Sequence, residues 1–404
     1  MTDSGATVLP GLAEIAEVGR DTVRGGYSRH LLDDAERDLR DWFVERAERL
    51  GLDVEHDRNG NTWAWWGTPG PDAFVTGSHL DSVPGGGAFD GPLGVVSALD
   101  AVARLQQEGH RPSRPTAIAV FAEEEGSRFG VACLGSRLLS GAISPERALA
   151  LTDVDGTSLE AVLTSAGIDP SAVGPDPDRL AGIGTFVELH VEQGRGLVDL
   201  GSPVALASSI LGHGRWRFRF SGQGNHAGAT LMTDRRDPVV AAAAAIAAVP
   251  GIARAAADAR ATVGRLRAVP GGTNVIASTA EFWLDARAGE DTVTRTVVGA
   301  IVAAAEDAAT ANGCALEVTE ESWSSRVDFP EGPRAAIDRV LAGDVPVLPT
   351  GAGHDAGVLS THVPSAMLFV RNPTGVSHAP EEWSDADDCA AGVEALTTVM
   401  RAST

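Results

Sequence analysis

The chain has 404 residues, 43% of them apolar, enough to bury a sizeable core and more than one domain. A formal net charge of −23 at pH 7 argues against a polyanion such as nucleic acid as a partner. All 32 basic residues are arginine, so chemistry that needs a lysine, a Schiff base or a P-loop, is excluded.

The N-terminal stretch MTDSGATVLPGLAEIAEVG lacks the basic segment and apolar run of an export signal. Leu31–Leu50 carries Leu32, Leu39, Trp42, Phe43 and Ala47 at helical spacing. Phe74–Gly77 reads as a short buried strand and Gly94–Gln107 as a helix; Thr116–Phe121 reads as a strand ending just before Glu123-Glu124-Glu125. Gly167–Gly184, with Pro170, Pro175 and Pro177, reads as an exposed connection. Thr185–Glu192 alternates, which as a strand puts Phe186, Glu188, His190 and Glu192 on one face. The alternation of helix and strand periods predicts an α/β domain with acidic and imidazole side chains gathered where strands end.

After about residue 206 the composition changes. Arg215–Ser221 is an amphipathic strand, Pro238–Ala257 an alanine-rich helix, Glu281–Ala288 a strand and Thr292–Asn312 a helix. This run has the size of a small domain, and the expected division is 1–208, 209–324 and 325–404, the last segment returning to the first. No apolar run reaches the length of about 18 residues needed to span a bilayer; the longest candidate, Val239–Ile252, is an amphipathic or buried helix. Cys133, Cys314 and Cys389 are odd in number and far apart, which predicts reduced thiols and a cytoplasmic protein.

The stretch GSHLDSVPGGGAFDG at 77–91 sets His79, Asp81 and Asp90 among five glycines. In an extended segment His79 and Asp81 point to one side, so one can ligate a metal while the other orients its ring. Asp90 follows a flexible triglycine and can return toward His79. Glu124 and Glu125 cap a strand, His190 ends another, and His378 lies in a Ser-His-Ala-Pro loop. Singly, each residue reads more readily as an ordinary polar group of a turn. Together, three histidines and two carboxylates suit a pair of ions bridged by one carboxylate, with Asp90 as the natural bridge.

The motifs GSHLDSVPGGGAFDGPLGV, FAEEEGSRFG, ELHVEQG, GNHAGAT, RRDP, GGTNVIAS, LDAR, GAGHDA and SHAPEEW occur in order from about Arg24 to about Trp383. In these the chain resembles the hydantoinase/carbamoylase branch of the M20 metallopeptidase-like amidohydrolases, which includes N-carbamoyl-L-amino-acid hydrolases, allantoate amidohydrolases and β-ureidopropionases. The resemblance implies an α/β fold of two domains: a catalytic mixed-sheet domain and an inserted α+β lid that makes a homodimer. It implies His79, Asp90, Glu125, His190 and His378 as ligands of two divalent ions, Zn²⁺ or Mn²⁺ with Co²⁺ or Ni²⁺ as further options, and Glu124 as general base. Three glutamates precede Gly126 where the motif has two; aligned from the glycine, Glu123 is the extra one.

The reaction implied is hydrolysis of a carbamoyl (ureido) C–N bond in a small carboxylate substrate, an N-carbamoyl-L-amino acid or allantoate. Water shared by two divalent ions becomes acidic enough for Glu124 to take its proton. By resemblance His226 stabilises the oxyanion from the lid of the partner subunit, Arg287 and Asn274 bind the substrate carboxylate, and Gln193 meets its ureido or amino side. Gly353 and His354 are expected to shape the pocket, and Asp81 to support His79. Two departures bear on substrate choice: Leu231-Met232 replaces the usual Pro-Met, and His213 stands near the hinge. Two other readings share the scaffold, an M20 aminoacylase or dipeptidase acting on N-acyl amino acids and a catalytically silent binding protein.

Overall fold

The computed structural model describes residues 9–404. The chain forms two compact units, one containing the residues up to Ser208 together with Asp328–Thr404 and the other Ser209–Val327. In chain order the strands are β1 (Asp53–His56), β2 (Thr62–Trp66), β3 (Ala73–His79), β4 (Thr116–Phe121), β5 (Ile183–Val191) and β6 (Val204–Ile210). The inserted stretch carries β7 (Gly212–Ser221), β8 (Asn225–His226), β9 (Arg260–Val269), β10 (Val275–Ile276), β11 (Thr279–Ala288) and β12 (Ala315–Ser324). The chain closes with β13 (Val327–Asp328), β14 (Val347–Thr350) and β15 (Ser365–Val370).

The first unit is centred on a nine-stranded mixed sheet in the order β1-β2-β4-β3-β5-β15-β6-β13, with β14 on β6. Its middle strands β4, β3, β5 and β15 run parallel, so all four end on one edge. β3, β4 and β15 are buried at every position, as expected of parallel strands covered on both faces. On one face lie the helices Pro92–Gln107 and Ala386–Ser403, which contribute Leu93, Val95, Leu99, Val102, Val393 and Leu396 to the core. Each fully buried Leu or Val of this kind stabilises the fold by about 1.5–3 kcal/mol relative to exposure.

The sequence boundaries moved where capping chemistry decided them. The first long helix begins at Asp34 rather than Leu31, because the Asp33 carboxylate accepts from the N–H of Glu36 at 2.8 Å. Gly167–Gly184 is no bare connection: it holds a 3₁₀ turn at Pro170–Ala172 and a helix at Pro177–Gly182. Asp169 and Asp176 cap these two pieces, each followed by a proline at the first position, and Asn59 grips Gly174 through both its amide and its carbonyl.

The second unit is a four-stranded antiparallel sheet, β12-β7-β11-β9, with the helices Pro238–Arg254 and Asp291–Ala311 packed on it. Phe218, Phe220, Phe282 and Leu284 meet Ala241, Ala245, Val297 and Ile301 in its core. Sequence reading located β7, β11 and both helices but not β9 and β12. Both missed strands lie at the sheet's edges, with Arg265 and Arg267 in one and Glu320 and Glu321 in the other, and the apolar residues they turn to the core, such as Val263, Leu316 and Val318, are only half-buried. No helix among the described residues is long and apolar enough to cross a membrane.

Candidate metal centre

Three of the four parallel strands deliver polar side chains to their common carboxyl edge. His79 is the last residue of β3, His190 is next to last in β5, and Glu123–Glu125 follow β4. Asp90 lies just ahead of the helix Pro92–Gln107, and His378 lies in the loop after β15. Gly91 caps that helix at φ 85°, and a Cβ there would stand 2.5 Å from the His79 ring, so only glycine allows the imidazole its place.

Asp90 divides its two oxygens between two clusters. Its Oδ1 is 3.5 Å from His79 Nε2 and 3.2 Å from His190 Nε2, and the two imidazole nitrogens are 3.5 Å apart. Its Oδ2 is 3.5 Å from His378 Nε2, which is 3.3 Å from Glu125 Oε2. Ligands about 2.0–2.1 Å from a tetrahedral ion stand roughly 3.3–3.4 Å from one another, so both clusters have the span that a single ion requires. The rings are also turned correctly: His79 Nδ1 is 3.0 Å from the Asp81 carbonyl and His190 Nδ1 is 2.9 Å from that of Val191. With Nδ1–H donating there, each Nε2 keeps its lone pair for a metal.

Charge points the same way. Against the cost of burial, His190 and His79 hold the Asp90 carboxyl well below the usual carboxylate range. Burial, reinforced by Asp355, Glu125 and Glu188, pushes Glu124 well above that range, and burial with Asp90 does the same to Glu125. The cluster has more carboxyl groups than its imidazoles can balance, an imbalance that divalent cations would relieve. The donor set fits two such ions.

Glu124 is buried, with Oε2 3.6 Å from His79 Nε2, so its carboxyl faces the first cluster without belonging to it. Cys133, fully buried at a left-handed φ of 55°, brings its Sγ to 3.5 Å from Glu124 Oε1. Asp81 does more than the sequence suggested: its carboxylate accepts from the N–H groups of both Glu124 and Glu125 at 3.1 Å. It fixes the two glutamates, while its carbonyl orients His79. Glu123 turns aside and accepts from the N–H groups of Arg128 and Phe129.

Gln193 donates from Nε2 to Asp90 Oδ2 at 2.7 Å and lies 3.2 Å from both Ser377 Oγ and His378 Nε2. His354 is buried against the His190 ring, with centroids 4.5 Å apart; burial and His190 hold it well below the usual imidazole range. Its neighbour Gly353 is exposed. Glu188 is a paired group, accepting from the Ser78 hydroxyl at 2.8 Å and the Ala356 N–H at 2.9 Å. Sequence reasoning passed over Ser377, Cys133 and Glu382. Ser377 adjoins His378 and Glu382 stands in the SHAPEEW motif, so both could have been found on that ground; Cys133 carries no local signal.

The remaining expected site residues stand in the second unit. His226 and Asn274 are exposed, and the short pair β8–β10 sets Val275 opposite His226. His226 Nδ1 accepts from the N–H groups of Gly228 and Ala229, which leaves Nε2–H as a donor in the neutral ring. Arg287 lies near the other end of β11, opposite His213 of β7, and its Nε and Nη2 bind Asp285 at 2.6 and 2.9 Å.

The model of the peptidase family M20/M25/M40 matches residues 75–402. The N-carbamoyl-L-amino acid amidohydrolase of Geobacillus stearothermophilus is 39% identical over 95% of each chain. The allantoate amidohydrolase of Bacillus subtilis is 32% identical over 93% of this chain and 92% of its own. Among solved structures, an amidase of the hydantoinase/carbamoylase family from Burkholderia vietnamiensis superimposes with a TM-score of 0.87 at 29% identity, covering 97% of this chain and 95% of that one.

Proposed function

Because this chain belongs to peptidase family M20/M25/M40, we propose that it hydrolyses the ureido (carbamoyl) C–N bond of a small carboxylate substrate, an N-carbamoyl-L-amino acid or allantoate. The observation that carries this reading is the division of the Asp90 oxygens between two ligand clusters of ionic span. In this reading His79, His190 and Asp90 hold one divalent ion, and Asp90, Glu125 and His378 hold a second. Zn²⁺ or Mn²⁺ suits the mixed imidazole and carboxylate donors, and Co²⁺ or Ni²⁺ is compatible with them. Once bound, such ions supply acidified water and polarise a carbonyl.

The residues of the chain do the rest. Glu124 takes the proton from the attacking water and returns it to the leaving nitrogen. Asp81 keeps Glu124 and Glu125 in place through their N–H groups. Gln193, beside Asp90 and His378, offers its amide to the ureido or amino side of the substrate, and His354 backs His190. From the lid of the partner subunit His226 donates Nε2–H to the oxyanion, and Arg287 with Asn274 receives the carboxylate. The segment 209–324 acts as the lid and dimerisation module of a homodimer, a reading that the compactness of Ser209–Val327 supports.

The test is ammonia release by manganese-loaded protein given allantoate and a panel of N-carbamoyl-L-amino acids, with Glu124→Gln as the blank. Release from either class at a rate the blank does not match is the expected result. Amino acid release without ammonia from N-acyl substrates would transfer the chain to the acylases.

A further inference from the structure

His378 comes from the loop after β15 and has a left-handed φ of 58°, a conformation that a non-glycine residue keeps only when its surroundings hold it. Asp90 comes from the glycine-rich loop after β3, almost three hundred residues earlier in the chain. The side chain of Glu382 joins the two loops. Its Oε1 accepts from the N–H of Phe89 at 3.1 Å and the N–H of Asp90 at 3.0 Å. Its own N–H donates to the Ala379 carbonyl, folding its segment back toward His378.

The site is shaped around this carboxylate. A Cβ on Gly87 would lie 2.2 Å from Glu382 Oε1, 2.4 Å from Cδ and 2.5 Å from Cβ, so the loop passes Glu382 at a distance only glycine permits. Trp383 meets Phe89 edge to face at 5.6 Å, a second link between the same two loops. Glu382 is buried and lines a cavity of about 400 Å³ whose other walls include Leu12, Tyr27, Phe89 and Trp383 but none of the five ligand residues. It is therefore placed to act through Asp90 rather than on substrate.

We infer that Glu382 is a positioning residue that sets the distance between Asp90 and His378, and with it the affinity of the second ion. The inference rests on the two-ion reading above. Binding of Mn²⁺ to the metal-free chain, followed by isothermal titration calorimetry, separates the two. Wild type takes up two ions, and Glu382→Ala weakens one of them by about 10–100-fold, the range seen when groups supporting a ligand are removed. The other ion, held mainly by His79 and His190 at strand ends, keeps its affinity. Glu382→Gln retains a carbonyl oxygen for both N–H groups and restores the second ion, which a loss of general stability would not explain. Should Glu382→Ala fail to fold, Gly87→Ala, which displaces the carboxylate, replaces it with the same expected loss. Two ions bound by Glu382→Ala or Gly87→Ala as tightly as by wild type would overturn the inference alone. No ion bound by wild type would overturn the two-ion reading beneath it.

Discussion

The chemistry-bearing residues of the two units are held in opposite ways. In the first unit His79, Asp90 and His190 are buried at strand ends or a helix start, with ligand atoms 3.2–3.5 Å apart. In the second, His226 and Asn274 are exposed, and Arg287 is already engaged by Asp285 on its own strand. The contrast follows from the tasks proposed. Ligands of a metal must keep one spacing, and His79, Asp90 and His190 are built into a core whose packing fixes it, whereas His378 stands exposed in its loop. Groups that receive a substrate must exchange partners, so they keep company with water or with a neighbouring side chain that can be displaced.

The contrast predicts how variants of each group fail. Glu124→Gln should lower kcat by about 10²–10⁴-fold while metal content stays at the wild-type level, since the proposed general base is removed and none of the proposed ligands. Equal metal content with less than tenfold loss of kcat would break the comparison. His226→Ala should lower kcat by about 10²–10³-fold, the cost of one oxyanion donor, again with metals retained. Arg287→Ala should act on KM, raising it by about 10–100-fold as a charged hydrogen-bonded pair is lost, with kcat moved far less. Steady-state kinetics on the preferred substrate reads both.

The smallest effect sharpens the comparison most. Asp285→Asn removes the carboxylate that competes for the Arg287 guanidinium, and KM should fall by about threefold. A rise in KM would mean that Asp285 aims the arginine instead of occupying it.

The motifs of the proposed ligand residues were legible because each sits at an element boundary with a distinctive neighbour, such as the glycines around Asp90 or Gly126 after Glu125. Strands β3 and β4 were legible from their short apolar runs, Ala73–Val75 and Ala117–Phe121, and β5 from its alternation. What stayed hidden depended on contacts distant in sequence. The grip of Asp81 on two backbone N–H groups, the bond of Glu188 to Ser78 and the reach of Glu382 to Asp90 leave no periodic trace. The edge strands β9 and β12 were missed because their alternation is carried by charged residues.

The thiol of Cys133, pressed against Glu124 from a fully buried position, makes the site its own clock. An alkylating reagent can reach that sulfur only during the moments when the segment from Glu124 to Leu134 has come open, whereas Cys314 is half-buried and reacts without waiting for the same event. Comparing the labelling rate of Cys133 in the native chain with its rate in the unfolded chain therefore measures the opening equilibrium around Glu124, with each tenfold of slowing worth about 1.4 kcal/mol.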